Sequence, residues 1–392
     1  MRITNITAIP IKLQMKQPFV IANVTNYDMY YVIVKIKTDS GIIGFGEATP
    51  AWEVTGETYQ SVIGCVSLLC NELLLGVSLI GQEITTLDQV ESVISLLYPQ
   101  NTPQLIYGNP SAKAAIEQAI LDAYGKYVNK PTYKIFGGTN RGIPFTKNIS
   151  IHPVEKTLSE VKSGIADGFS IIRLKIGIQN YSGMLGYQRD VDVIQQAARL
   201  IKNSGRKIRL VADANQGFTD AGSVIEFCRE IDGCLDWLEQ PLFASNLEGF
   251  LDLKGQISTP LMADESLISP QAARYLISNN AVDYINIKLM KTGGFFQARK
   301  LIAFAEEYGI KCHIGSMLET MVGASMGCHL FLSEKNIIST DLNSYTLLKN
   351  QITNGLRIQN NQIYLSHVPG AGIKIQENLL SKFAIATTYE MG

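Results

Sequence analysis

From Pro144 onward the chain alternates short apolar runs with segments of helical period, and charged residues close most of the runs. A run without polar alternation is a strand covered on both faces, the condition of a parallel sheet packed between helices. The runs are Phe145–Ile151, Ser170–Lys175, Lys207–Asp213, Leu235–Glu239, Leu261–Asp264, Asp283–Lys288, Lys311–Gly315 and Asn336–Asp341. Eight strands in succession, each joined to the next by a helix, favour an α/β barrel of the TIM-like (β/α)8 type, expected in its modified (β/α)7β form, over an open doubly wound sheet. The intervening helices stop at Gly168, Gly205, Gly233 and Gly309, residues suited to the left-handed position that ends a helix. Ser269-Pro270 reads as an N-cap followed by proline at the first helical position.

The first third of the chain has a different texture. Ile3–Leu13, Tyr30–Lys37 and Ile42–Ala48 read as antiparallel strands, with a turn at Asp39-Ser40-Gly41. Helical periodicity then covers 58–75, 86–97 and Ser111–Tyr127, with Ser111 as the expected N-cap of the third. A chain of 392 residues exceeds one compact core. The expected organisation is an N-terminal α+β capping domain over 1–130 and a barrel over 131–350. The segment over 351–392, with a hairpin at Leu356–Leu365 and a turn at Pro369–Gly372, is expected to return to the cap.

Charged side chains do not belong within buried parallel strands, so an acid closing a run marks the strand's carboxyl end, where barrel enzymes keep their active sites. Asp213 closes Ile208–Ala212, Glu239 closes Leu235–Leu238 and Asp264 closes Leu261–Ala263. The spacing between successive acids is that of a βα unit, which places them on consecutive strands at one rim. Singly, each is most simply a helix cap or an ion-pair partner. Three converging carboxylates repel one another and call for a cation. A donor set of oxygens, without Cys or His, suits Mg²⁺ or Mn²⁺ better than Zn²⁺.

Lys175 closes Ile171–Leu174 and Lys288 closes Tyr284–Ile287, on the second and sixth strands. Those strands lie on opposite sides of an eight-stranded barrel. Alone, either lysine is most simply a solvated rim residue or a counter-ion, and a Schiff-base lysine would need no carboxylate trio. With the trio, the two ammonium groups face each other across a metal. One lysine can remove an α-proton from a substrate carboxylate held by the metal, which stabilises the enolate, and the other can return a proton to the opposite face. Arg173 shares a strand face with Lys175, and its charge is expected to lower the pKa of Lys175 toward that of a working base.

With 34 Lys+Arg against 35 Asp+Glu, there is no global charge reason to bind nucleic acid or an anionic membrane, which favours a small-molecule substrate. The six cysteines are scattered without C-x-x-C spacing and read as reduced core thiols. Met1–Pro10 has no apolar signal region, and the expected location is cytoplasmic. His152, His313, His329 and His367 lack zinc-type spacing, and only His313, on the seventh strand, has a position from which to line a site. Gly44-Phe45-Gly46 and Gly370-Ala371-Gly372 lack the context of a dinucleotide site and are expected to be turns.

These residues resemble those of the enolase superfamily, most closely its muconate-lactonizing-enzyme subgroup. The likeness is carried by Gly44–Ala48, Arg173-Leu174-Lys175 (the family has K-x-K), Asp213-Ala214-Asn215, Glu239-Gln240-Pro241, Ala263-Asp264-Glu265 and the Asn286–Gly294 run around Lys288. That run, Ile314–Thr320 and Val54–Thr58 resemble the dipeptide epimerases, the L-Ala-D/L-Glu epimerases among them. The resemblance implies Mg²⁺-dependent interconversion of L-Ala-L-Xaa and L-Ala-D-Xaa by two-base 1,1-proton transfer, Lys175 serving the L and Lys288 the D configuration. It also implies a homo-oligomer, and supporting roles for Asn215 and Glu265 behind the metal ligands. Substrate contacts are expected from Arg173, Asp341, Asn343, Ser316, Met317, Leu318, Val24, Trp52 and Thr55.

Two departures bear on the substrate. Asp341-Leu342-Asn343 stands where the family has Asp-x-Asp for a dipeptide's ammonium, and an amide accepts a hydrogen bond but lacks the charge. Pro18–Val24 lacks the arginine of Glu-selective members, while Val20, Ile21, Val24 and Trp52 offer apolar surface or, more plainly, cap-domain core. The expectation is a relaxed or hydrophobic second residue rather than strict Glu. A muconate cycloisomerase or o-succinylbenzoate synthase would use the same metal and lysines. A metal-independent Schiff-base lyase and a non-catalytic binding barrel are the rivals from other classes.

Overall fold

The eight expected barrel strands form one parallel sheet whose hydrogen-bonding order is their order in the chain. A computed structural model describes residues 1–22, 24–71, 78–98, 108–177, 180–181 and 184–385. Asn23, the far end of the helix expected over 58–75, and the Cys70 side chain lie outside the described residues. The strands are shorter than their apolar runs: Lys147–Ile149, Ile171–Lys175, Arg209–Asp213, Trp237–Glu239, Leu261–Ala263, Tyr284–Ile287, Lys311–Ile314 and Ile337–Thr340. The sheet curls until its edges meet, where the Thr146 amide donates to the Thr340 carbonyl at 2.9 Å. Each of the first seven strands leads into a helix, from Val154–Ala166 to Met321–Ser333. The eighth is followed instead by a 3-10 turn, Ser344–Leu347, so the barrel is of the (β/α)7β form. Gly168, Gly205, Gly233 and Gly309 all have positive φ, and the Ser269 side chain accepts from the Ala272 amide with Pro270 behind it.

Strand period orders the barrel interior in layers. Ile171, Val211, Trp237 and Met262 fill the lower layer, with Tyr284 and Ile338 against them. Two residues further along the same strands stand Arg173, Asp213, Glu239, Asp264 and Asn286, all buried. The next step reaches Lys175, Asn215 and Lys288. The polar site is thus the continuation of an apolar core toward the strands' carboxyl ends.

The cap is an antiparallel sheet of Ile3–Val20, Thr25–Thr38 and Ile43–Ala48, packed on the helix Pro110–Tyr127, which is buried along nearly its whole length. Gly44-Phe45-Gly46 lies within the third strand and is not a turn. The helix backbone presses on this strand, and a Cβ at Gly44 or Gly46 would stand 2.0 Å from the Ala119 or Ala115 carbonyl oxygen. Ser111 is not the N-cap of this helix. Pro110 presets the helical φ one residue earlier, Asn109 takes the cap position, and the Ser111 and Ala112 amides donate to the Glu57 carboxylate at 3.1 and 3.3 Å. After the barrel, Gln362–Leu365 pairs with Ile143–Pro144, while the helix Glu377–Phe383 reaches the cap through a Lys35–Glu377 ion pair at 2.8 Å. Among the described residues the cysteines are free thiols, and no helix is long and apolar enough to cross a membrane.

Candidate active site

Parallel register brings the acids together: Glu239 stands beside Asp213 across one strand pair and Lys175 beside Asp213 across the next. One carboxylate oxygen from each of Asp213, Glu239 and Asp264 lies within 4.8 Å of the others, and all three residues are buried. Lys175 Nζ donates to Asp213 Oδ2 at 2.5 Å and to Asn215 Oδ1 at 3.1 Å. From the other side, Lys288 Nζ approaches Asp264 Oδ2 at 2.7 Å. The two ammonium groups therefore flank the triad. Lys291, fully buried one helical turn beyond Lys288, donates to the Asp264 carboxylate and carbonyl and to the Asn286 carbonyl.

The electrostatics of the triad test its fitness for a metal. Burial pushes the Glu239 carboxyl up to about 8, against Arg173 and with the help of Asp213 and Asp264. Glu239 Oε2 has no hydrogen bond, only a 3.1 Å charge contact with Arg173. Despite the desolvation that burial imposes, Lys288 and Lys291 hold Asp264 well below the usual carboxylate range. Conversely, despite burial, Asp264 and Glu265 hold the Lys288 ammonium above its usual range. A buried, oxygen-only triad with an oxygen to spare on Glu239 fits a hard divalent cation.

A cavity of about 570 Å³ opens over these groups between barrel and cap. Lys175, Lys288, Asn215, Glu265, Asp341 and Asn343 line it from the barrel, Ser316, Met317 and Leu318 from the loop after the seventh strand, and Trp52 from the cap. Asn215 and Glu265, expected behind the metal ligands, reach the cavity wall and bond to each other at 3.1 Å. Leu318 has φ 67° and its carbonyl accepts the Tyr31 hydroxyl at 2.9 Å, so the cap holds this loop in a strained backbone.

Three expected substrate contacts do not line the cavity. Arg173 sits one layer below its floor, 2% exposed, paired with Asp341 and Glu239 and 3.1 Å from His313 Nε2. Its charge is taken up by these carboxylates rather than directed at Lys175. Val24 closes the tip of the first cap hairpin, its carbonyl accepting the Ile21 amide. The Thr55 hydroxyl turns back to the Ala51 carbonyl at 3.2 Å. His313 is fully buried below the floor, between Ser339, Arg173 and Asp341.

Several contributors have no strong sequence signal. Glu47, from the cap, accepts the Thr320 amide at 2.9 Å and the Gly323 amide at 3.2 Å, capping the helix Met321–Ser333. Glu117 accepts the Phe296 amide at 2.8 Å at the start of the helix Phe295–Glu307. These are caps supplied from distant parts of the chain. Lys291 did leave a trace, as a second lysine three residues after Lys288.

Residues 3–137 match the family described as mandelate racemase / muconate lactonizing enzyme, N-terminal domain, and residues 156–379 match the enolase C-terminal domain-like family. An N-succinyl-L-Arg/Lys racemase from Bacillus cereus is 34% identical over 98% of this chain and 98% of its own. An L-Ala-D/L-Glu epimerase from Bacillus subtilis is 31% identical over 95% of this chain and 97% of its own. The crystal structure of the Bacillus cereus racemase superimposes with a TM-score of 0.88 at 33% identity, covering 98% of this chain and 99% of that one. The chain therefore belongs to the enolase superfamily, in the branch of mandelate racemase and muconate lactonizing enzyme, and is an isomerase of the racemase and epimerase kind.

Proposed function

We propose that this chain inverts the α-carbon of an N-acylated amino acid, dipeptides being the members of that class expected from the sequence, by two-base proton transfer between Lys175 and Lys288. The observation that carries the reading is the placement of the two ammonium groups on opposite flanks of the carboxylate triad. Asp213, Glu239 and Asp264 would hold Mg²⁺, or Mn²⁺ in its place. A divalent cation there supplies charge to neutralise the substrate carboxylate as it gains electron density. Lys175 takes the α-proton from one face and Lys288 delivers one to the other, then the roles reverse. Lys291 keeps the Asp264 carboxylate turned toward the site, and Asn215 fixes the Lys175 ammonium between two oxygens.

One observation favours an acyl group without an ammonium. Asp341 is the single carboxylate on the eighth strand's rim, and it is committed to Arg173 and to His313 at 3.1 Å. Despite the cost of burial, Arg173 and His313 hold it far below the usual carboxylate range. Asn343 beside it carries no charge. A free dipeptide ammonium finds weak compensation there, whereas an acyl end without an ammonium does not call on Asp341; the terminal carboxylate of an N-succinyl group would need a cation instead, and Lys147 lines the same cavity. The test is α-deuterium incorporation in D₂O, followed by mass spectrometry and a chiral assay, for L-Ala-L-Xaa and N-succinyl-L-Xaa with the same Xaa. No incorporation from either series with Mg²⁺ present would remove the reading.

A further inference from the structure

We infer that Asp190 is a positioning residue for one base alone: it anchors the turn that follows Lys175, and through that turn the loop carrying Asn215, while Lys288 is held by other means. The inference rests on the two-base reading above and adds what sets one of its bases in place. It begins where strand pairing ends. The Ile176 amide, next after Lys175, still donates to the Asp213 carbonyl at 3.0 Å. The Gly177 amide has left the sheet and donates instead to Asp190 Oδ2 at 2.8 Å.

Asp190 lies near the start of the helix Gly186–Asn203 and is buried, as is its neighbour Arg189. Asp190 Oδ1 accepts from Arg189 Nη1, while Arg189 Nη2 donates to the His152 carbonyl at 2.6 Å and to the Thr157 hydroxyl at 3.0 Å. His152 follows the first barrel strand, and Thr157 belongs to the helix Val154–Ala166 behind it. One buried ion pair therefore ties together the carboxyl ends of the first two strands. Replacing such a pair by apolar residues of equal volume is often neutral for stability. Apolar residues would supply no acceptor at a fixed point for the Gly177 amide, and that acceptor is what the pair adds.

The anchored turn bears on Lys175 from two directions. Gly177, at φ 96°, packs so closely on the loop after the third strand that a Cβ would stand 2.7 Å from the Ala214 carbonyl oxygen and 3.0 Å from Gly217 Cα. A Cβ on Gly217 would in turn stand 2.6 Å from Gly177 Cα. That loop carries Asn215, held at φ 41°, whose Oδ1 accepts from Lys175 Nζ at 3.1 Å. Asp190 thus fixes the backbone just beyond the base directly, and a partner of its ammonium through the packed glycines. Lys288 is held differently, because the Lys291 and Thr292 amides close a helical turn on its carbonyl at 2.9 and 3.0 Å.

The experiment follows α-deuterium exchange from each enantiomer of one N-acyl amino acid in D₂O with Mg²⁺, for Asp190→Ala, Asp190→Asn and Gly177→Ala. The enantiomer that Lys288→Ala still exchanges marks the side of Lys175. From that enantiomer, Asp190→Ala and Gly177→Ala should lower exchange about 100-fold, the scale of a displacement of about 1 Å at the reacting centre. From the other, exchange with retained configuration should stay near the wild-type rate, which a general loss of structure would not allow. Asp190→Asn keeps an oxygen for the Gly177 amide but not the charge toward Arg189, and should show the same one-sided loss at about 10-fold. It carries the test with Gly177→Ala if Asp190→Ala does not fold. Equal losses from both enantiomers, or no loss from either, overturn the inference and leave the two-base reading standing. If the wild type exchanges neither enantiomer, that reading falls, and acetic anhydride labelling read by mass spectrometry decides the positioning. A Lys175 to Lys288 labelling ratio that rises in Asp190→Asn and Gly177→Ala supports it, and an unchanged ratio overturns it.

Discussion

Replacing Glu117 by glutamine isolates one of the buried carboxylates that join cap and barrel. Glu117 belongs to the buried helix Pro110–Tyr127, and its carboxylate caps the barrel helix that follows Lys288. Gly294, at φ 141°, packs so closely that a Cβ there would stand 2.3 Å from Glu117 Oε2. Burial pushes this carboxyl up to about 8, with the Phe296 and Phe295 amides and Lys300 opposing only in part. The unfolded chain gives up the same proton near the ordinary glutamate value of about 4.3. Between those two values the folded protein holds a proton that the unfolded chain has lost, so stability falls as pH rises. The slope is at most about 1.4 kcal/mol per pH unit, and the whole window amounts to about 5 kcal/mol as an upper bound.

Glutamine has the same shape and no proton to lose, so urea unfolding at a series of pH values should show the variant gaining on the wild type from about pH 5 to about pH 8. Other raised carboxyls, such as Glu47 at about 7, act in both proteins and cancel in the difference. Parallel stability curves for the two proteins would refute the assignment of a proton to Glu117.

Chelation of divalent cations should abolish α-proton exchange, and Mg²⁺ should restore it; full activity in excess chelator would refute the metal assignment. Lys291→Met removes a buried charge that touches Asp264 and should cost about 3 kcal/mol in denaturant unfolding. Added Mg²⁺ should narrow that deficit, because the cation compensates the same carboxylate. Asn343→Asp supplies a carboxylate near Asp341 and should raise turnover of L-Ala-L-Xaa relative to N-succinyl-L-Xaa by about tenfold, the scale of one charged hydrogen bond. An unchanged ratio would mean that the acyl end lies elsewhere.

The barrel was legible in the sequence because its signal is local and repeated. A strand buried on both faces must be apolar until it leaves the core, so Asp213, Glu239, Asp264, Lys175 and Lys288 announce themselves by breaking apolar runs. Strand period also placed Arg173 on the face of Lys175, but periodicity does not give depth. Arg173 lies one layer lower, where Glu239 and Asp341 bind it. Interactions between distant segments were hidden for a related reason. Gly44 and Gly46 look like turn residues until the backbone of the helix Pro110–Tyr127 is laid against them. Glu57, Glu47 and Glu117 cap helices far from them in sequence, and no local pattern marks such a cap. Val24 and Thr55 belong to segments of the cap whose neighbours reach the cavity, and only the turn geometry separates those that line it from those that do not.

The division of labour between Lys175 and Lys288 is tested most directly by following inversion and α-deuterium exchange together in D₂O, from each enantiomer of one N-acyl amino acid. The wild type should invert the centre with one deuterium incorporated per event. Lys175→Ala and Lys288→Ala should each lose inversion, because one face of the α-carbon is left without a base, while binding of the substrate persists. Interconversion of the enantiomers by either variant at the wild-type rate would contradict the two-base account.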